Sequence, residues 1–189
     1  MSGFLLHLMR HGPPETPGRL MGRTDDEPTA EGIAACVEQV SELAFDAIIA
    51  SDLRRAALAA QAIAAARNLP VRTDPRWREL DFGAWDGLPT SQVEPSAIGR
   101  FWQDPDRFPP PGGERWSSLV TRVSSALEEM PACQTLVVTH GGAIRAALAS
   151  LLGFDQRQLW AFDLPCGAVL SLRIRQGTPP SAQIMGLWQ

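Results

Sequence analysis

The chain is short of several things, and each shortage closes off a class of protein. Its 189 residues include three cysteines, Cys36, Cys133 and Cys166, odd in number and far apart. That pattern suits reduced, buried thiols rather than a disulfide framework, and it points to the cytoplasm. Apolar runs such as AALAAQAIAAA stop well short of the roughly 20 residues that a membrane span needs. No basic stretch precedes the first apolar run and no small-residue cleavage site follows it, which argues against a signal peptide. Positive charge is not in excess: 17 Lys and Arg stand against 21 Asp and Glu, a net charge of −4. Such a chain has no overall attraction for nucleic acid or an anionic membrane. Neither a GxGxxG loop nor a GxxxxGKS/T loop occurs, so the common glycine-rich nucleotide cradles are missing.

What is present reads as one globular domain over residues 1–189, with 44% hydrophobic and 20% charged residues. The short apolar runs FLLHLM, FDAIIAS and QTLVVT read as strands, and Ala168–Ile174 and Gln183–Trp188 as two more. Between them Thr29–Leu43, Leu53–Leu69, Trp116–Met130 and Ala143–Leu152 have helical length, with Thr29 placed to cap the first. Alternating strands and helices predict a three-layer α/β/α sandwich around a mostly parallel sheet. Residues 88–115 break the rhythm with Pro109-Pro110-Pro111, Gly112-Gly113 and the aromatics Phe101, Trp102 and Phe108. This segment reads as an aromatic-rich insertion lying over the sheet edge and the active site, neither linker nor disorder.

Two of the strands end alike. LLHLMRHG and TLVVTHGG each deliver a histidine, His11 and His140, where the apolar run breaks off. In open α/β sheets ligands bind at the carboxyl edge of the strands, although a strand-end histidine can equally be a plain polar terminus. His7 and His11 have the i, i+4 spacing of a helical zinc pair, but on a strand they stand roughly 13 Å apart. His7 therefore reads as a core histidine, and no metal site is expected. Arg10 precedes His11, and Arg54-Arg55 follows the strand FDAIIAS. Helical spacing turns one of that pair toward the strand ends, where planar guanidiniums suit a phosphate; an arginine pair can also be solvated surface. WRELDFGAWDG offers the carboxylates Glu79, Asp81 and Asp86 in irregular structure. Beside a phosphate, a carboxylate feels like charge and can hold a proton to donate.

Together LMRHG, SDLRRA, RELDFGAWDG and VVTHGG resemble the blocks of the histidine phosphatases, the phosphoglycerate mutase-like superfamily, in that family's order. The resemblance implies a metal-independent, cofactor-free phosphomonoester hydrolase in which His11 is the nucleophile that becomes phosphorylated. It implies that Arg10, Arg55, His140 and Gly141 hold the phosphoryl group. Glu79, four residues before Gly83, matches the usual proton donor, with Asp81 as the competitor. Gly22, Arg23 and Trp102 are weaker candidates for substrate contact. Two positions depart from the family: Pro17 stands where an asparagine commonly supports the phosphate, and Pro28 replaces a leucine, while Gly22, Asp25 and Thr29 keep that loop's landmarks.

Stretches outside the shared blocks, PGGERWSSLVTRV and QLWAFDLPCGAVLSLRI, are similar to the α-ribazole phosphatases of cobalamin synthesis. Trp102, Phe108 or Trp116 could stack on a benzimidazole, or could merely pack the insertion onto the domain. A broad-specificity phosphatase and a phosphoglycerate mutase are the alternatives, the mutase disfavoured by the short insertion. A chain keeping this fold only as a binding module would be expected to lose His11 or Glu79, and both are present. The partner is expected to be a small phosphomonoester. The sequence does not fix the oligomeric state, a homodimer included.

Overall fold

The computed structural model describes residues 3–175, 177 and 181–189. Six strands form one sheet: β1 (Gly3–Arg10), β2 (Ala47–Ala50), β3 (Val71–Thr73), β4 (Thr135–Thr139), β5 (Val169–Arg175) and β6 (Ser181–Trp188), in the order β3-β2-β4-β1-β5-β6. The pairs β3–β2, β2–β4 and β4–β1 are parallel, whereas β5 runs antiparallel to both β1 and β6. The helices are α1 (Ala30–Gln39), α2 (Arg54–Arg67), α3 (Pro95–Gln103), α4 (Trp116–Glu128), α5 (Gly141–Leu152) and α6 (Gln156–Trp160).

Strand alternation explains why the central strands read as unbroken apolar runs. Leu6 and Leu8 of β1 enter one core with Val137, Leu119 and Val123 of α4, and Ile144 and Leu148 of α5. Met9 enters the other core with Leu136, Val138, Cys36 of α1, and Ala60 and Ile63 of α2. Both faces of the sheet are covered, as the three-layer arrangement requires. Each fully buried aliphatic side chain contributes about 1.5–3 kcal/mol of transfer free energy. The alanines of α2 allow that helix to lie close to the sheet.

His7 lies on the α1/α2 face of β1, where its Nδ1 accepts from the Ser171 hydroxyl at 2.5 Å and its Nε2–H donates to the Ala44 carbonyl at 3.3 Å. Burial lowers its pKa, and it is a hydrogen-bonded core group with no part in the strand-end cluster. Thr29 caps α1 as expected, accepting from Gly32 N at 2.9 Å.

Three elements go beyond the sequence expectation. β3 is three residues with a single apolar one, and α6 is five residues, both too short to register as periodicity. α3 begins on a proline inside the segment that breaks the strand–helix rhythm. Pro95 occupies the first turn, where its missing N–H costs nothing, and Glu94 caps the helix by accepting from Ser96 and Ala97. Through Phe101, which meets Phe82 and Trp85 edge to face at 6.0 and 5.8 Å, α3 anchors segment 88–115 to the main core. Among the described residues no helix is long and apolar enough to cross a membrane.

Candidate active site

The parallel pairing of β1 with β4 sets Arg10 opposite Thr139, so the residues that follow, His11 and His140, emerge side by side at the carboxyl edge of the sheet. The His11 amide donates to Thr139 O at 2.9 Å, and the two imidazoles meet edge to face with centroids 5.1 Å apart. Gly12 follows because the chain passes under α1: a Cβ there would meet Gly32 O at 2.5 Å.

His11 is buried, and its Nδ1–H donates to its neighbour's carbonyl, Gly12 O, at 2.7 Å. That bond fixes the tautomer and leaves Nε2 as the unprotonated nitrogen. Burial, reinforced by the charges of Arg55 and Arg10 and opposed by the Gly12 bond, pushes the imidazole pKa down to about 3. His140 is fully buried, and both of its ring nitrogens are engaged: Nδ1 accepts from Arg55 Nε at 3.2 Å and Nε2–H donates to Ser51 Oγ at 2.9 Å. Its pKa too lies well below the ordinary value, chiefly through burial.

The arginines divide. Arg10 donates one N–H to Leu164 O at 2.5 Å, while its buried Nε has no acceptor among the described residues. A buried guanidinium N–H without a partner is costly unless an anion meets it. Arg55 is fully buried behind the histidines and does not line the cavity. Besides His140 it donates to the carbonyls of Met21, Gly22 and Thr24 at 2.8–3.0 Å. That loop is held by Asp86, whose carboxylate accepts from the amides of Gly22, Arg23 and Thr24 at 2.7–2.9 Å.

Glu79 faces the cavity, with Oε1 accepting from Leu80 N at 2.9 Å and Oε2 from Gly142 N at 3.1 Å. A Cβ on Gly142 would fall on the Glu79 carboxylate, so a side chain there would push that carboxylate out of its present place. α5 starts two residues earlier than its hydrophobic pattern indicates, and the Gly142 amide is committed to Glu79. Asp81 points elsewhere: Oδ1 accepts from Gly83 N at 2.9 Å and Oδ2 pairs with Arg23 Nε at 3.3 Å. Gly22 and Arg23 do not reach the cavity wall; Gly22 packs so closely on the 80–82 backbone that a Cβ would meet Leu80 O at 2.5 Å.

The cavity at this edge encloses about 400 Å³. Arg10, His11, Glu79, Gly141 and Gly142 belong to its wall, and Phe82, Phe101, Trp102, Trp116 and Trp160 are the aromatic residues among the rest of the lining. Trp102 and Trp160 meet edge to face at 5.2 Å, and Gln156 Nε2 ties α6 to α3 by donating to Trp102 O at 2.9 Å. Phe108 lies off the cavity, under Arg107 and Arg100. Pro17 lines the cavity where an asparagine would have offered a side-chain amide. Among the described residues no group of three or more His, Cys, Asp or Glu side chains is arranged to hold a metal ion.

Three residues of this neighbourhood escaped the sequence reading. Arg122 on α4 donates to the carbonyls of Arg76, Arg78 and Glu79 at 2.7–2.8 Å and pairs with Glu114 at 2.7 Å, which fixes the backbone that carries Glu79. Asp86 was seen only as one of three candidate acids. Arg145, one turn into α5, lines the cavity itself. The AIRAAL pattern held a signal, a lone arginine in an otherwise apolar helix segment.

The buried histidines, His7 included, carry a stability consequence. From the ordinary value of 6.5 downward the unfolded chain binds protons that the folded chain refuses, His11 until about pH 3. Stability is therefore full above pH 6.5 and falls as the pH drops, with a slope of about 1.4 kcal/mol per pH unit for each histidine. Urea denaturation at pH 7, 6 and 5 is expected to give steadily lower unfolding free energies, and His11→Asn to flatten the slope. The same slope in His11→Asn would mean that His11 takes up protons in the folded protein as readily as in the unfolded one.

The family model described as "Histidine phosphatase superfamily (branch 1)" matches residues 6–184. The chain is 32% identical over 169 residues to phosphoserine phosphatase 1 of Hydrogenobacter thermophilus, covering 83% of this chain and 80% of that one. It is 29% identical over 185 residues to the adenosylcobalamin/alpha-ribazole phosphatase of Escherichia coli K12, covering 90% of each. Among solved structures it superimposes on a mycobacterial glucosyl-3-phosphoglycerate phosphatase complexed with VO3, with a TM-score of 0.87, 25% identity and coverage of 98% and 99%.

Proposed function

Because the chain belongs to the histidine phosphatase superfamily, we propose that it hydrolyses phosphomonoesters through a phosphohistidine at His11, without a metal, and that its substrate is α-ribazole 5′-phosphate. The observation that carries the hydrolytic reading is the state of His11: neutral down to about pH 3, with Nδ1–H held by Gly12 O and Nε2 free for phosphorus.

In the first half-reaction Nε2 attacks phosphorus and the bond to the ester oxygen breaks. Glu79, protonated, delivers its proton to that oxygen and the alcohol leaves. In the second, the Glu79 carboxylate takes a proton from water, the water oxygen bonds to phosphorus, and the P–N bond breaks to release phosphate and neutral His11. Charge stays on the equatorial phosphoryl oxygens throughout. The Nε–H of Arg10, without an acceptor among the described residues, is the donor ready to meet them, and the Gly141 turn opening α5 lies beside it. Arg55 adds positive charge behind His11 and, through Nε, orients His140; an incoming phosphoryl oxygen competes with those internal bonds for both side chains.

The substrate assignment rests on the aromatic residues of the wall, which suit a planar base, and on the similarity to the E. coli enzyme over 90% of the chain. A panel of phosphomonoesters tests it: α-ribazole 5′-phosphate, phosphoserine, 3-phosphoglycerate, sugar phosphates and nucleotides. The expected kcat/KM for α-ribazole 5′-phosphate exceeds every other by at least about tenfold, roughly 1.4 kcal/mol of transition-state discrimination. A flat profile would make the protein a general phosphatase. EDTA is expected to leave the rate unchanged, and strong inhibition would return a metal to the mechanism.

A further inference from the structure

Arg145 is a half-buried charge in the cavity wall that the reaction above leaves without a role. Its guanidinium lies over the Trp160 ring, 4.6 Å from the centroid, and donates to Phe162 O at 3.0 Å, Gly141 O at 3.3 Å and Leu159 O at 3.4 Å. These bonds fix the plane of the fork and leave two of its five N–H groups unassigned. No carboxylate pairs with it among the described residues. An oriented cation facing a cavity, with donors to spare and no carboxylate in direct contact, is built for an acceptor brought by the ligand.

Its position says which part of the ligand. The charges that act on His11 are those of Arg55 and Arg10, whereas Arg145 feels Glu79, Arg10 and Asp163. Arg10 is common to both: its Nε and Arg145 Nη1 lie 3.8 and 3.2 Å from the point that a side chain on Gly141 would occupy. Arg145 thus stands beside Gly141, next to the Gly142 amide that holds the Glu79 carboxylate, and Arg10 reaches the same point from its own strand. In an in-line displacement the leaving oxygen departs on the side opposite the attacking nitrogen, and the proton donor marks that side.

We infer that Arg145 is a specificity-determining residue that donates hydrogen bonds to oxygen acceptors on the alcohol part of the substrate, close to the ester, while Trp160 beneath it and Trp102 wall the rest. This rests on the phosphatase reading but not on α-ribazole as the alcohol. The acceptor can be a sugar hydroxyl or a carboxylate. A simple alkyl or aryl phosphate lacks it.

Matched substrate pairs test the inference, because members of a pair share the leaving-group chemistry. One pair is α-ribazole 5′-phosphate and its 2′,3′-dideoxy analogue, another glycerol 1-phosphate and propyl phosphate, and a third phosphoserine and phosphoethanolamine. For the wild type, kcat/KM is expected to fall roughly ten- to a hundredfold on removing the acceptor in at least one pair, the range for a hydrogen bond to a charged group. In Arg145→Met that ratio is expected to collapse toward one, whatever happens to the absolute rates, and Arg145→Lys should restore part of it. A purely structural role would lower both members by the same factor and leave the ratio intact, as would a role at the phosphoryl group; either result overturns the inference. The pair that responds identifies hydroxyl or carboxylate. Coupling in the glycerol or serine pair with no turnover of α-ribazole 5′-phosphate would refute the proposed substrate and uphold the role of Arg145. Turnover of none of the six by the wild type would sink both.

Discussion

Replacing His11 with alanine is expected to lower kcat by roughly four orders of magnitude or more on every phosphomonoester, good leaving groups included. The size follows from the first bond made. Without His11 the cavity lining holds no other imidazole to accept the phosphoryl group. His140 cannot step in, because Arg55 and Ser51 engage its nitrogens. The check has two parts. Steady-state rates with p-nitrophenyl phosphate give the loss. Acid-sensitive, alkali-stable label from a ³²P-substrate, trapped in the wild type and missing from His11→Ala, gives its cause. Residual activity above about one per cent would mean that water attacks phosphorus directly, with His11 only binding charge. Because burial holds the imidazole neutral down to about pH 3, the rate should not be lost near pH 6.5 through protonation of His11, as it would with a solvated histidine.

Much of this site was legible because strand chemistry is local. An apolar run that must be buried on both faces, then ends in Arg-His-Gly or His-Gly, announces both a central strand and its functional edge. Parallel neighbours bring two such endings together by register alone. Glu79 needed the family pattern, since nothing local separates it from Asp81. What separates them in space is which amides and cations they meet: Leu80 and Gly142 for the one, Gly83 and Arg23 for the other. The withdrawal of Arg55 behind the histidines was not legible, because it depends on the carbonyls of 21–24 being turned inward by Asp86, more than sixty residues away. Arg145 was missed for a related reason. In the chain it is one polar residue in an apolar helix segment, and only the fold sets it over Trp160. The short elements β3, α3 and α6 escaped because three to nine residues carry too little periodicity to stand out from loops.

Glu79→Gln is expected to separate the two chemical steps. The substitution keeps the side chain's size, but its amide nitrogen must face one of the two N–H groups that the carboxylate now accepts, from Leu80 or Gly142. More consequentially, an amide neither donates a proton to a leaving alkoxide nor takes one from water. On α-ribazole 5′-phosphate the first step needs that proton, and kcat should fall by about a hundredfold to ten-thousandfold, the usual worth of a positioned general acid. p-Nitrophenolate leaves without protonation, so with p-nitrophenyl phosphate the transfer to His11 should proceed at nearly its normal rate. The second step still lacks its base, and the phosphohistidine should accumulate. Stopped-flow absorbance should therefore record a burst close to one p-nitrophenolate per site, followed by slow turnover, where the wild type shows a far smaller burst. The burst is the discriminating quantity, since a variant that was merely misfolded would release less product in the first turnover as well as in later ones. Equal losses on both substrates with no burst would remove Glu79 from proton transfer. The role would then pass to a group that the present geometry turns away from the cavity, Asp81 being the nearest in sequence.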